Sequence, residues 1–356
     1  MIYVCNVSGI KKWDNPEQIK NILEDLEKYK NQIVGLELCH NSIGENCAKA
    51  LGKKIKNIKN LRQVDLSDCF VSRGAEELPK CLKHILEAIV DKSIKKLNIS
   101  DNALGPTASP GYDFFFKKNK TLEELYLDNC GMGPIGTPAL MKILKENKDM
   151  QLKLLHFSRN KIEDVGCNSI SELLKDKESL INIKISDNEI HKKGLELFLK
   201  TIKDNKNISH IDIHNNTLGS EFKIFPEIIS SLTNIISLEL SDLTIENKET
   251  IKKLFEELPK LNKLRKFSFE YNISDLDYDN EKEKKAYISE LFERLLKVPN
   301  IKEIHLENNE IPKDLYAKYL SQFKNKKLLL LSCFSEEEAL NDEDDENIDM
   351  TDLNKN

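Results

Sequence analysis

An eleven-residue pattern recurs ten times in this chain and constrains its fold more than any other feature. Each copy reads apolar, two variable, apolar, variable, apolar, two variable, Asn or Cys, variable, apolar, with copies starting at residues 33, 61, 94, 122, 152, 180, 208, 235, 264 and 301. The ninth positions fall at 41, 69, 102, 130, 160, 188, 216, 243, 272 and 309, a period of about 28 with longer intervals of 33 after residue 69 and 37 before residue 309. At such a period no unit buries its apolar face alone, so neighbours must stack to make a core. Within each copy apolar and variable positions alternate as in a short strand, and the stretch behind it returns to helical spacing, as at Ala50, Leu51, Ile55 and Ile58. Each unit is expected to be a strand followed by a helix.

The pattern resembles the leucine-rich repeat, which implies an α/β solenoid. The expected architecture is a horseshoe of about 10 to 11 repeats, with a concave parallel β-sheet and convex α-helices. The repeated Asn at 41, 102, 160, 188, 216 and 309 has a structural reason, because its amide can satisfy buried backbone groups of the turn and of the adjoining repeat. Cys69 and Cys130 take the same rung as small buried thiols, and Leu243 marks a weaker turn. Solenoid ends need covers. Residues 1–32, with a strand over Ile2 to Val7 and a helix over Pro16 to Tyr29, are expected to cap the front of a repeat domain covering 33–334. A helix over 313–323 and the KKLLLLSCF strand are expected to close its back, and residues 335–356 read as an acidic, disordered tail.

Composition removes several function classes. The longest aliphatic run, Leu328 to Leu331, is far short of the roughly 20 residues a membrane span needs. The first residues, MIYVCNVSGIKKW, lack the parts of a secretory signal. The eight cysteines form no CxxC pair, which fits reduced thiols in the cytosol or nucleus. Of the net charge of −6, residues 335–356 carry −9, leaving +3 on the body, so no basic face points to nucleic acid. There is no Walker loop, dinucleotide glycine pattern, GxSxG or HExxH, so the chain is not expected to be an enzyme. His210, Asp212 and His214 alternate along one strand and could face a metal, but nothing marks a further ligand, and a polar inner surface is the plainer reading. No metal and no cofactor is expected.

The informative irregularities lie at the rim, where strands end and loops lead to helices. The second repeat carries the long loop LSDCFVSRGAEELPKCL (66–82), which holds Asp68 and places Arg73 on an extension most repeats lack. From physics alone, such an Arg reads as a solvated charge. Neighbouring rims hold Asp101 and Asn102 in SDNALGP, Asp128 and Asn129 in LDNCGMGP, and Arg159 and Lys161 in SRNKIED. Loops carry function more often than scaffolds do, and an Arg, Asp and Asn cluster on adjacent repeats suggests a protein-binding edge.

These motifs, in this order, resemble the GTPase-activating proteins of the small GTPase Ran. The resemblance covers residues 1 to about 346 and is strongest from 61 to 165. It implies an activator that works on Ran in its GTP state, with GTP, magnesium and the water-orienting glutamine belonging to the GTPase. Arg73 matches the family's critical loop arginine and Asn129 the asparagine near the GTPase's active site, while Asp68, Asp101, Asn102, Asp128, Arg159 and Lys161 are the expected binding residues. Some relatives carry a basic residue where this chain has Ala75. The resemblance is to the short form without the vertebrate type's extra C-terminal domain, which implies cytoplasmic residence as an expectation, with perinuclear residence left open. A monomer is expected, and the need for an accessory Ran-binding protein stays open. The alternative is a leucine-rich-repeat scaffold or inhibitor without GTPase activation.

Overall fold

A computed structural model describes residues 1–5, 11–203, 205–219, 222–274, 276–325 and 329–331, with residues 324–325 and 329–331 described by their backbone only. The chain forms an α/β leucine-rich-repeat fold divided into two compact units, Met1–Leu218 and Gly219–Asn356.

In the first unit, strands Ile2–Val4, Gly35–Glu37, Gln63–Asp65, Lys96–Asn98, Glu124–Tyr126, Leu154–His156, Asn182–Lys184 and His210–Asp212 pair in parallel, each with the next in chain order. Each central residue, from Leu36 through Leu97 and Leu155 to Ile211, is buried, while its neighbours from Lys96–Asn98 onward are half-exposed on the other face. This is the alternation of the sequence copies made physical. The helices Glu45–Ile55, Leu78–Ile89, Ser109–Lys118, Gly133–Glu146, Glu163–Asp176 and Lys192–Ile202 pack side by side in the same order. In the second unit, strands Ser237–Glu239, Lys266–Ser268, Glu303–His305 and Leu329–Leu331 pair in parallel, and helix Lys313–Asn325 follows the last sequence copy.

The front of the chain differs from expectation. The first strand ends at Val4, and a second short strand, Lys11–Trp13, pairs in parallel with Asn41–Ile43. Asn15 then starts a 3₁₀ turn, Pro16–Ile19, through a capping box with Gln18, and helix Lys20–Tyr29 continues from it. Trp13 is buried, which anchors this excursion on the first repeat.

The asparagine ladder is present. Asn102 donates to Leu66 O in the preceding repeat and to Ile99 O and Ser100 O in its own turn, while its oxygen accepts from Cys69 N and Phe70 N. Asn160, Asn188, Asn216, Asn272 and Asn309 follow the same plan of reaching back one repeat. Cys69 and Cys130 donate their thiols to Leu38 O and Ile99 O but offer no second polar group. At those rungs backbone takes over, with Ile43 N on Cys69 O and Gly105 N on Cys130 O. Burial raises both thiols well above the usual cysteine range, which disfavours the thiolate at these rungs. Leu243 is buried at its rung and donates only its backbone N–H, to Asn272.

Candidate functional site

The residue before each rung sits in the left-handed region in all ten copies: His40, Asp68, Asp101, Asn129, Arg159, Asp187, Asn215, Asp242, Tyr271 and Asn308 have φ between 49° and 62°. Seven of the ten are Asp or Asn, the residues that tolerate this conformation best, so much of the rim's acidic and amide character has a backbone cause. Arg159 is the exception inside the motif region. A long side chain held there has no conformational reason to be, which turns attention to what it touches.

Asp101 gathers the rim of three successive repeats. Its Oδ1 accepts from Asn129 Nδ2 at 3.0 Å and lies 3.4 Å from Arg159 Nη2. All three side chains are exposed. Their backbones are held from beneath, Asp101 N on Asp128 O, Asn129 N on Ser158 O and Arg159 N on Ser186 O. Asp128 faces inward to this framework, its Oδ1 accepting from Ser158 N at 2.6 Å. Lys161 projects freely apart from a 3.2 Å ion pair with Glu189, and Asp68 Oδ2 lies 3.0 Å from His40 Nδ1. In the helices that follow two of these rims, Gly133–Glu146 and Glu163–Asp176, Ile135 and Val165 are exposed in the first turn, 75% and 54% accessible. Sequence reasoning missed both, since an isolated apolar residue at a helix start has no pattern to expose it.

Two sequence expectations change. Asn102, grouped above with the binding residues, is 1% exposed and spends both ends of its amide on backbone. It is a ladder residue and offers no surface to a partner. Arg73, expected as a solvated loop charge, has a side chain only 3% exposed. Its Nη1 donates to Asp14 and, at 3.4 Å, to Glu77, and its Nη2 donates to the carbonyls of Ser42 and Trp13. Helix Leu78–Ile89 begins nine residues after Cys69, whereas helix Gly133–Glu146 begins three after Cys130. The extra length lets the loop fold back over the front of the first repeat and bury the guanidinium there. Asp14 had no signal in the sequence, because it lies 59 residues from Arg73. Glu77, at helical spacing from the arginine, did.

The His210, Asp212 and His214 strand turns inward to its own partners. His214 places Nδ1 2.6 Å from Asp212 and Nε2 3.1 Å from Asp187, and His210 Nδ1 lies 2.8 Å from Ser209 Oγ. Among the described residues, the group of metal-type donors that come together is a different one, Glu270, His305 and Glu307, in the second unit. There His305 Nε2 is engaged with Glu303 at 2.5 Å. No helix among the described residues is long and apolar enough to cross a membrane.

Comparison with known proteins agrees with the repeat and finds relatives named for GTPase activation. The Leucine Rich repeat family matches residues 149–171. A protein named Ran GTPase-activating protein from Drosophila melanogaster is 24% identical over 211 residues, 56% of this chain and 35% of its own length. Ran GTPase-activating protein 1 from Xenopus laevis is 26% identical over 108 residues, and RAN GTPase-activating protein 1 from Arabidopsis thaliana 29% over 98, covering 30% and 27% of this chain and 18% of each relative. The matched stretches thus span about a third or less of these relatives. Among solved structures, an internalin from Listeria monocytogenes superposes over 91% of both chains with a TM-score of 0.47 and 11% identity. The chain has a leucine-rich-repeat fold, and its sequence is similar to that of proteins named Ran GTPase-activating protein.

Proposed function

We propose that this chain activates GTP hydrolysis by a Ran-type small GTPase, acting in the cytoplasm in nucleocytoplasmic transport. The observation that carries the reading is the exposed Asp101, Asn129 and Arg159 cluster on three successive, backbone-pinned rims, in a chain similar to relatives named for that activity. A surface of this kind binds and orders a partner and leaves the chemistry to it. Nucleotide, magnesium and the glutamine that orients water are the GTPase's own; the activator holds the switch segments so that the water and the γ-phosphate stay in line. Asn129 is the side chain offered nearest the partner's active site, and Arg159, Lys161 and the apolar Ile135 and Val165 extend the contact. Arg73 supports the same surface.

Single-turnover hydrolysis by GTP-loaded Ran, with catalytic amounts of the protein, tests this. The expected acceleration is about 10³- to 10⁵-fold, equivalent to about 4–7 kcal/mol of barrier. Arg73→Ala and Asn129→Ala are each expected to remove most of it while circular dichroism stays unchanged. Absence of acceleration, with or without a Ran-binding accessory protein, would leave a binding scaffold.

A further inference from the structure

Arg73 is the residue on which the proposed function most depends, and its charge is turned into the protein. Four of its five N–H groups have acceptors there: the Asp14 and Glu77 carboxylates and the carbonyls of Ser42 and Trp13. The fifth, on Nε, is buried with no partner among the described residues. A guanidinium held this way cannot touch a GTPase unless all four bonds break together.

The surroundings are shaped to hold it. The guanidinium packs close to Gly44, where a Cβ would stand 2.8 Å from Arg73 Nη1 and 3.0 Å from Asp14 Oδ1. Gly44 opens helix Glu45–Ile55, which has no side-chain cap of its own. Glu77 fills that place from the loop, accepting from Glu45 N at 3.3 Å while it also accepts from Arg73. Ser42 Oγ in turn donates to Val71 O. The 68–77 loop, the first repeat and the Trp13–Asp14 segment are therefore one bonded assembly centred on Arg73. Within it Asp14 is the principal carboxylate partner, because Glu77 is shared and more distant.

We infer that Asp14 is a positioning residue for GTPase activation. Through Arg73 it fixes the 68–77 loop in the form that presents Asp68 and the adjoining rim, so the front segment of the chain is part of the functional surface. This rests on the function proposed above. It assigns to Arg73 an internal role and to Asp14, which is 58% exposed and carries no motif, a dependence equal to that of the arginine.

The test is steady-state activation of Ran-GTP hydrolysis, resolved into kcat and KM, for wild type, Arg73→Ala, Asp14→Asn, Asp14→Glu and the Arg73→Ala/Asp14→Asn double variant. Hydrogen exchange over residues 66–77 is followed in parallel. Asp14→Asn is expected to lower kcat/KM at least about 10-fold, in the same parameter that Arg73→Ala lowers, and to speed exchange in the loop. The double variant should be no worse than Arg73→Ala alone, and Asp14→Glu should recover part of the rate. Gly44→Ala, which crowds the guanidinium without removing a carboxylate, should reproduce the fall, and serves if Asp14→Asn melts below the assay temperature. An active wild type with an unchanged or faster Asp14→Asn overturns the inference alone, since a guanidinium that reaches the GTPase would be freed by that change. Additive losses in the double variant overturn it as well. An inactive wild type overturns the functional reading and this one with it.

Discussion

At the scale of the residue, the rim shows backbone need and function competing for one position. Asp and Asn precede the rungs in seven copies because the left-handed turn costs them least, so Asp101 and Asn129 are recruited to the surface cluster from residues the fold already wanted there. Arg159 departs from that preference, and the left-handed region costs an ordinary side chain roughly 1–2 kcal/mol. Arg159→Asn is therefore expected to raise stability, by up to about 1 kcal/mol after loss of an exposed ion pair worth less than about 1 kcal/mol. The same change should lower kcat/KM for GTPase activation. Denaturant midpoints and hydrolysis rates on one preparation check both, and a variant that is less stable, or equally active, would remove the idea that Arg159 is strained for contact. The rung residues themselves were legible in the sequence, since one amide type at one period has one structural use. What the sequence left hidden was the strain beside them, because φ leaves no trace in residue type when the residue is an arginine.

At the scale of the element, the helices are joined by a second set of crosslinks that the sequence did not reveal. Asn119 Nδ2 donates to Val90 O and Lys92 O, Asn147 Nδ2 to Phe116 O and Asn119 O, and the buried Lys177 ammonium to Asn147 O and Met150 O. These satisfy carbonyls at the helix ends and in the turns just after them in the preceding repeat, among them groups a helix leaves orphaned. The role escapes notice because Asn and Lys take it in turn, and burial lowers the Lys177 pKa as it does so. The first helix is tied differently. Glu27 on Lys20–Tyr29 accepts from Lys30 and, at 3.2 Å, from Lys54 on Glu45–Ile55, and these bonds hold its carboxyl down at about 2 against an ordinary 4.5. A depressed carboxylate adds stability that is present above its unfolded pKa and is lost as pH falls through its folded one. Glu27→Gln is expected to melt below wild type at pH 7, with the gap closing between pH 4.5 and 2. A gap that stays constant with pH would show that packing, not the carboxylate, joins the two helices.

At the scale of the whole molecule, the repeat order was readable in advance because a period states its own architecture, whereas the Asp14–Arg73 junction was not. Its partners lie 59 residues apart and two of its acceptors are backbone carbonyls, which no residue pattern encodes. The acidic residues 335–356, outside the described residues, extend the functional reading to charge. If they steer the protein toward a basic surface of the GTPase, association of the intact chain will weaken with salt more steeply than that of residues 1–334, because the attraction fades within a Debye length of about 8–10 Å. Equal salt slopes in stopped-flow association would remove that role. The amide ladder has one more consequence. Each rung asparagine reaches back to the turn before it, and Asn41, with no copy before it, keeps an oxygen that finds no donor among the described residues. The rungs at 160, 188 and 216 repeat at 28 residues with the same grip, so a segment of that length can be cut out there and the survivors meet as the originals did. No such exchange is open across residues 69–102, where the loop that answers to Asp14 would be lost with it. Lineages of this fold can lengthen or shorten on one side of the motif region while the front remains a fixed piece.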